Sequence, residues 1–176
     1  MRALSNFGLA LFAAISLSGC ASKGPEMKTV DHVEIDRFMG SWYVLANIPM
    51  FLEKNAYNAV ETYRLNNDGT IATNFTFRKG GFDGKEKEYS PKAFIMEDES
   101  NAQWGMQFVW PIKADYRIVY LDENYTTTVI GRKSRDYVWI MSRTPTISDS
   151  DYDQLASFVE SIGYDTSKLK RMPQRW

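Results

Sequence analysis

Between residues 41 and 143 the sequence divides into eight short runs, most of them alternating apolar with polar residues, each bounded by turn-forming residues. The runs fall at about 41–48, 57–66, 70–78, 86–96, 103–110, 114–121, 125–132 and 136–143. Asn67-Asp68-Gly69 is a strong hairpin signal. Gly80-Gly81-Phe82-Asp83-Gly84, Asp122-Glu123-Asn124 and Lys133-Ser134-Arg135 serve the same purpose. Period-two runs joined this tightly predict an antiparallel meander. An open sheet of that size would leave two exposed edges, whereas closure removes them. Eight strands close around space for packed side chains or one small ligand. After the strands, Ser148 with Asp151 resembles a capping box, with Asp in place of Glu or Gln. Tyr152, Leu155, Ala156, Val159 and Ile162 follow at helical spacing and Gly163 stops the run. The fold class expected is all-β: an eight-stranded up-and-down antiparallel β-barrel with a C-terminal α-helix packed on its flank.

A short helical turn within Val33–Met39 leads to Gly40-Ser41-Trp42-Tyr43, which opens the first run. Met141-Ser142-Arg143-Thr144-Pro145 closes the last. If those strands are antiparallel neighbours, Trp42 lies beside Arg143. A guanidinium over an indole face is worth about 1 kcal/mol, more when desolvated. Gly40, Trp42 and Arg143 together would plug one end of the barrel. Because strand direction alternates, the loops near 49–52, 80–85, 111–113 and 133–135 then gather at the other, open end.

Composition restricts the chemistry available. With 21 basic and 22 acidic residues the net charge is −1, so no broad nucleic-acid capture is expected. One cysteine excludes an internal disulfide, and one histidine, His32, leaves no His/Cys metal cluster or catalytic triad. The reading calls for no cofactor and no catalytic residues. Asp149, Asp151, Asp153 and Glu160 fall on a calcium-loop spacing, but Gln154 stands where the loop needs Gly. An acidic first turn of a helix accounts for the same residues. The basic tail (Lys168, Lys170, Arg171, Arg175) reads as a solvated charge run, with anionic headgroups as the second reading.

The first nineteen residues read as a leader: Arg2, an apolar stretch from Phe7 to Leu17, then Leu17-Ser18-Gly19-Cys20. Small residues before a cysteine match a bacterial lipobox, in which the Cys20 thiol receives a diacylglycerol. The domain boundaries expected are a lipoprotein signal peptide at 1–19, a lipidated tether at 20–30 and one folded domain at 31–176. Ala21 after the cysteine resembles the sorting pattern for the outer membrane, facing the periplasm.

Together these motifs resemble the lipocalins. Gly40-Ser41-Trp42 is similar to their Gly-x-Trp signature, Arg143 to the basic residue over that Trp, and Arg135-Asp136-Tyr137 to their second motif. Residues 136–148 and 163–169 resemble the bacterial outer-membrane members and their plant and animal relatives. The resemblance spans about residues 30 to 170. It implies binding, storage or transport of a small hydrophobic molecule, for this branch a fatty acid or a lysophospholipid.

If Trp42 points inward, alternation predicts a lining of Val44, Ala46 and Ile48 on the first strand and Ala59, Glu61, Tyr63 and Leu65 on the second. Ile71, Thr73, Phe75 and Phe77 follow, then Ala93 and Ile95, then Trp104, Met106 and Phe108. Tyr116, Ile118 and Tyr120, and Tyr137, Trp139 and Met141, complete the wall. Met50, Phe51, Leu52, Trp110 and Ile112 form an apolar portal at the mouth, or fold down over the cavity as a lid. Glu61, Arg78, Lys113 and Arg117 are the headgroup candidates. A homodimer is compatible with the apolar mouth. The alternative is an envelope interaction module whose barrel is filled by its own aromatic side chains. An enzyme acting on lipid is a third, with no nucleophile–base pair to support it.

Overall fold

The computed structural model describes residues 27–96 and 98–176. The expected leader, Cys20 and the first part of the tether lie outside them. The chain forms α1 (Ile35–Phe38), β1 (Gly40–Ile48), β2 (Ala56–Leu65), β3 (Ile71–Lys79), β4 (Glu86–Tyr89), β5 (Lys92–Ile95), β6 (Gln103–Val109), β7 (Ile112–Leu121), β8 (Thr127–Gly131), β9 (Val138–Ser142), α2 (Asp149–Ser161) and β10 (Lys170–Arg171). The strands pair antiparallel in meander order, and β1 pairs with β9 to close an eight-stranded barrel, with β4 and β5 sharing the fourth place. The expected single strand at 86–96 is broken at Ser90-Pro91. Pro91 has no N–H to give a ladder, and its carbonyl instead accepts from Thr73 N and Thr73 Oγ1.

One end is sealed as the spacing of Trp42 and Arg143 requires. Tyr43 pairs with Ser142 and Val44 with Met141. The Arg143 guanidinium lies 3.8 Å from the Trp42 ring centroid. Its Nη2 donates to the carbonyls of Arg37, Phe38 and Met39, and its Nη1 to Ser41 O at 2.9 Å. Gly40 sits at φ +94°, and a Cβ there would stand 3.3 Å from Arg143 Nη1. Only glycine adopts that backbone without strain and leaves the guanidinium its space. Beneath this cap, Phe38, Trp42, Tyr63, Trp104 and Tyr116 pack ring against ring, with centroids 5.0–6.4 Å apart. The closed half of the barrel is full.

Helix α2 lies on the outer wall. Ser148 caps it, accepting from Asp151 N at 3.1 Å, while its own hydroxyl donates to the Asp151 carboxylate. The reciprocal bond thus runs through the hydroxyl, because the shorter Asp cannot reach back to the Ser148 backbone. Leu155 and Val159 are buried against Ala46, Ile48, Val129, Val138 and Ile140. Burial of each such side chain contributes roughly 1.5–3 kcal/mol. Three inward assignments are therefore corrected at this wall, and a fourth, Leu65, is exposed at the end of β2. The register shifts between Val44 and Ala46, so Ala46 and Ile48 turn out beneath the helix. A second shift between Ile118 and Tyr120 turns Tyr120 outward, where its ring meets Phe158. A bulge adds one residue, and one residue reverses the face.

The charged side chains of the C-terminal tail, Lys168, Lys170, Arg171 and Arg175, are exposed as expected, but its backbone is structural. β1 pairs with β2 only over Gly40–Tyr43, and its second half is paired with β10 instead. The tail fills the gap. Met172 N donates to Leu45 O, Asn58 N to Pro173 O, and Gln174 Nε2 bridges Val44 O and Ala59 O. Arg171 pairs with Asp149, and Arg175 with Asp83. At the other terminus, residues 27–30, expected as tether, are packed: Met27 is buried and Val30 N donates to Ile118 O.

Candidate functional site

A cavity occupies the open half of the barrel, lined by residues that include Glu61, Phe75, Met106, Phe108, Tyr116 and Trp139 from the strands and Met50 and Glu53 from the β1–β2 loop. Its enclosed volume is about 40 Å³, room for about three water molecules. A lipid-sized pocket is roughly 300–1,000 Å³. A larger guest therefore has to displace the side chains nearest the mouth, Met50, Met106 and half-exposed Phe108. Two are methionines, whose unbranched chains re-pack at little cost.

The loop over the cavity is held by a buried carboxylate. Glu53 ends the 3-10 turn Phe51–Glu53 and accepts from Trp139 Nε1 at 2.8 Å, and from Asn47 Nδ2 and Met50 N at 2.9 Å each. Burial raises its pKa, against the lowering by these three bonds. The loop is thus divided: Met50 and Glu53 face the cavity, and Phe51 and Leu52 face out, Phe51 being 79% exposed. The β6–β7 turn presents Trp110 at 81% and Ile112 at 70%. The mouth carries both a lid and an apolar outer surface.

Glu61 shares the cavity with Glu53, and what accessibility it has is to that interior. Desolvation pushes its pKa to about 7, helped by the neighbouring charge of Glu53 and opposed by its bond with the Tyr63 hydroxyl. Tyr63 and Tyr116 share a short 2.5 Å hydrogen bond across the interior, and burial raises both phenols well above their ordinary value. The interior acid thus changes its protonation state near neutral pH.

The expected lining residues Val44, Ala59, Tyr63, Ala93, Trp104 and Ile118 share the interior cluster with Phe75, Phe77, Met106, Tyr116 and Trp139. Most of these fill the closed half. Glu61, Phe75, Met106, Phe108, Tyr116 and Trp139 reach the open cavity. Of the headgroup candidates only Glu61 is inside. Arg78 pairs with Glu86, Lys113 lies 3.7 Å over the Phe94 ring, and Arg117 donates to Asp115, all on the outer wall. The cationic residue at the cavity is Arg132, whose Nε is buried without a partner and whose Nη1 meets Asp136 at 3.2 Å. Neither Arg132 nor Glu53 had a signal in the sequence. Arg132 lies at the margin of a run, and Glu53 follows an apolar loop as an ordinary solvated acid would. Among the described residues no group of His, Cys, Asp and Glu could hold a metal ion.

Known proteins share both the pattern and the architecture. A family model described as a lipocalin-like domain matches residues 33–174. Temperature-induced lipocalin-1 of Arabidopsis thaliana is 35% identical over 159 residues, 85% of this chain and 83% of the relative. Outer membrane lipoprotein Blc of Citrobacter freundii is 30% identical over 164 residues, 91% of each chain. Among solved structures, insecticyanin of the tobacco hornworm Manduca sexta superposes with a TM-score of 0.66 over 85% of each chain at 13% identity, a likeness of fold alone. With the Gly40–Trp42–Arg143 cap, the flank helix and a matched model over nearly the whole described chain, this protein belongs to the lipocalin-like family.

Proposed function

We propose that the protein carries a single-chain lipid, a fatty acid or a lysophospholipid, in the open half of its barrel, without covalent chemistry. The supporting observation is the cavity itself: apolar and aromatic walls, and polar groups at Glu53, Glu61, Asp115, Tyr116 and Arg132. The chain enters past Met50, Phe51, Leu52, Trp110 and Ile112, with the Glu53-latched loop as lid. Desolvation drives uptake at about 0.8 kcal/mol per buried CH₂, less the cost of ordering the guest and moving the lid. Arg132, at the cavity with an unpaired donor, is the partner for a carboxylate or phosphate headgroup. Cys20 anchors the protein by its acyl chains to the outer membrane, facing the periplasm. That location is consistent with relatives named outer membrane lipoproteins.

Native mass spectrometry of the Cys20→Ser protein, purified gently from host cells, tests this reading. A released ligand with the mass of a fatty acid or lysophospholipid is expected. A bare mass, unchanged after incubation with either lipid, contradicts it and favours the other reading the packing supports: a barrel filled by its own aromatic rings that serves as an interaction module.

A further inference from the structure

The described N-terminal segment runs up the outer wall toward the end of the barrel that carries the apolar tips. Val33 N bonds to Ser100 O in the β5–β6 loop, at the sealed end. Val30 N bonds to Ile118 O, midway along β7. Met27 then packs with Val119 and Tyr164 on the outer wall, beside Gly131, which pairs with Arg117 partway along β7. Traced backwards to Met27, the chain therefore leaves the sealed end and climbs the outer wall toward the mouth. The seven residues from Cys20 to Glu26 span about 25 Å at full extension. That reach brings an acylated Cys20 to the plane of the mouth.

What the mouth offers there is an amphipathic surface. Phe51, Trp110 and Ile112 project into solvent, and Lys54, Lys79, Lys85, Lys113 and Lys133 stand in or beside the same loops. Lys54 Nζ lies 5.7 Å over the Phe51 ring. Several acids of this end are engaged: Asp83 with Arg175, Glu86 with Arg78, Asp115 with Arg117 and Asp136 with Arg132. Exposed aromatic and aliphatic tips ringed by lysines are the chemistry of an anionic lipid–water interface.

We propose that the mouth docks on an anionic phospholipid surface, the membrane that anchors the protein, with Phe51, Trp110 and Ile112 inserted at headgroup depth. The proposal rests on the lipid-carrier reading for its purpose and on the exposed, lysine-ringed apolar tips for its orientation, which the reach of an acylated Cys20 permits. Docked this way, the cavity opens onto the bilayer, and a single-chain lipid passes between them without crossing water.

The test uses the full chain, its acylation verified by intact mass, in vesicles of phosphatidylethanolamine and phosphatidylglycerol. A polarity-sensitive dye is placed at Ile112→Cys and, as control, at Leu65→Cys, an exposed apolar site at the sealed end. The expected result is blue-shifted emission at 112, quenched by brominated acyl chains, and neither effect at 65. Equal, unquenched emission at both sites overturns the proposal. So does a blue shift at 112 that appears without vesicles and depends on protein concentration, which would make the surface a contact between two copies. A chain found unacylated removes the anchor but still tests the surface. Cosedimentation of the Cys20→Ser protein with the same vesicles should fall about tenfold or more in Phe51→Ser/Trp110→Ser, and no binding at all overturns the proposal. Docking that survives while the cavity proves empty by native mass spectrometry separates this inference from lipid carriage.

Discussion

The indole N–H of Trp139, on the last barrel strand and paired with Asn47 of β1, donates to Glu53 Oε1 at 2.8 Å. With the bond from Asn47, it fastens the β1–β2 loop to the β1–β9 pair and makes a lid of it. Glu53→Ala leaves three donors facing a void, from Trp139, Asn47 and Met50. A loss of about 2–3 kcal/mol is expected in denaturant unfolding, together with faster amide exchange at Met50 and faster lipid uptake from vesicles. Unchanged uptake would mean that the loop is not the gate.

Glu61 makes stability depend on pH. Its carboxyl has an ordinary value of 4.5 and a folded value of about 7. Below pH 4.5 both folded and unfolded chains hold the proton, and no difference arises. Between 4.5 and 7 only the folded chain holds it, so its contribution falls as pH rises, by up to about 3 kcal/mol, and is constant above. Glu61→Gln should therefore match the parent at pH 4 and unfold at higher denaturant at pH 8. Hydrocarbon laid against the carboxyl excludes its remaining water, so lipid affinity should weaken above pH 7 in the parent and stay level in the variant.

Arg143 holds the sealed end through both its ring contact and its carbonyl bonds. Arg143→Ala should cost about 3 kcal/mol in equilibrium unfolding. Arg143→Lys should recover less than half, since an ammonium cannot lie flat on Trp42 and serve the carbonyls on either side. Gly40→Ala should cost about 1–3 kcal/mol through its backbone angle and its approach to the guanidinium.

Gln174 spans the gap between β1 and β2 from outside. Gln174→Ala removes two bonds, to Val44 O and Ala59 O, and should lower stability by about 1–2 kcal/mol. Removing residues 172–176 should expose Asn58 N, which donates to Pro173 O, to rapid hydrogen exchange. Protection of Asn58 retained in the truncated chain would show that β1 and β2 close without the tail.

Strand order, the sealed end and the flank helix were legible because they depend on periodicity and on residues of unusual chemistry: Gly40, Trp42, Arg143, and the Ser148 cap. The two register shifts were not. A bulge inserts a residue without changing composition, so Ala46 and Tyr120 keep the pattern of inward positions while the backbone turns them out. The break at Pro91 did have a signal, since proline cannot donate to a ladder. Glu53 and Arg132 were invisible for a different reason. A charged side chain is buried only when distant groups receive it, and Trp139, Asn47 and Asp136 are brought to them by closure of the barrel rather than by neighbouring sequence. The cavity was legible as an apolar lining, but its small enclosed volume follows from ring packing that no pattern encodes.

Lipid in the open half of the barrel is tested most directly by quenching of Trp139. The Cys20→Ser protein carrying Trp176→Phe and Trp110→Phe retains three indoles, of which Trp139 lines the cavity and Trp42 and Trp104 are fully buried in the sealed half. Titration with a fatty acid or lysophospholipid brominated along its chain should quench emission saturably at one lipid per protein, and Ala114→Phe, which narrows the cavity that Ala114 lines, should reduce the affinity at least tenfold. No saturable quenching by either lipid, or equal affinity in the narrowed variant, would place the guest outside the barrel and contradict lipid carriage by this cavity.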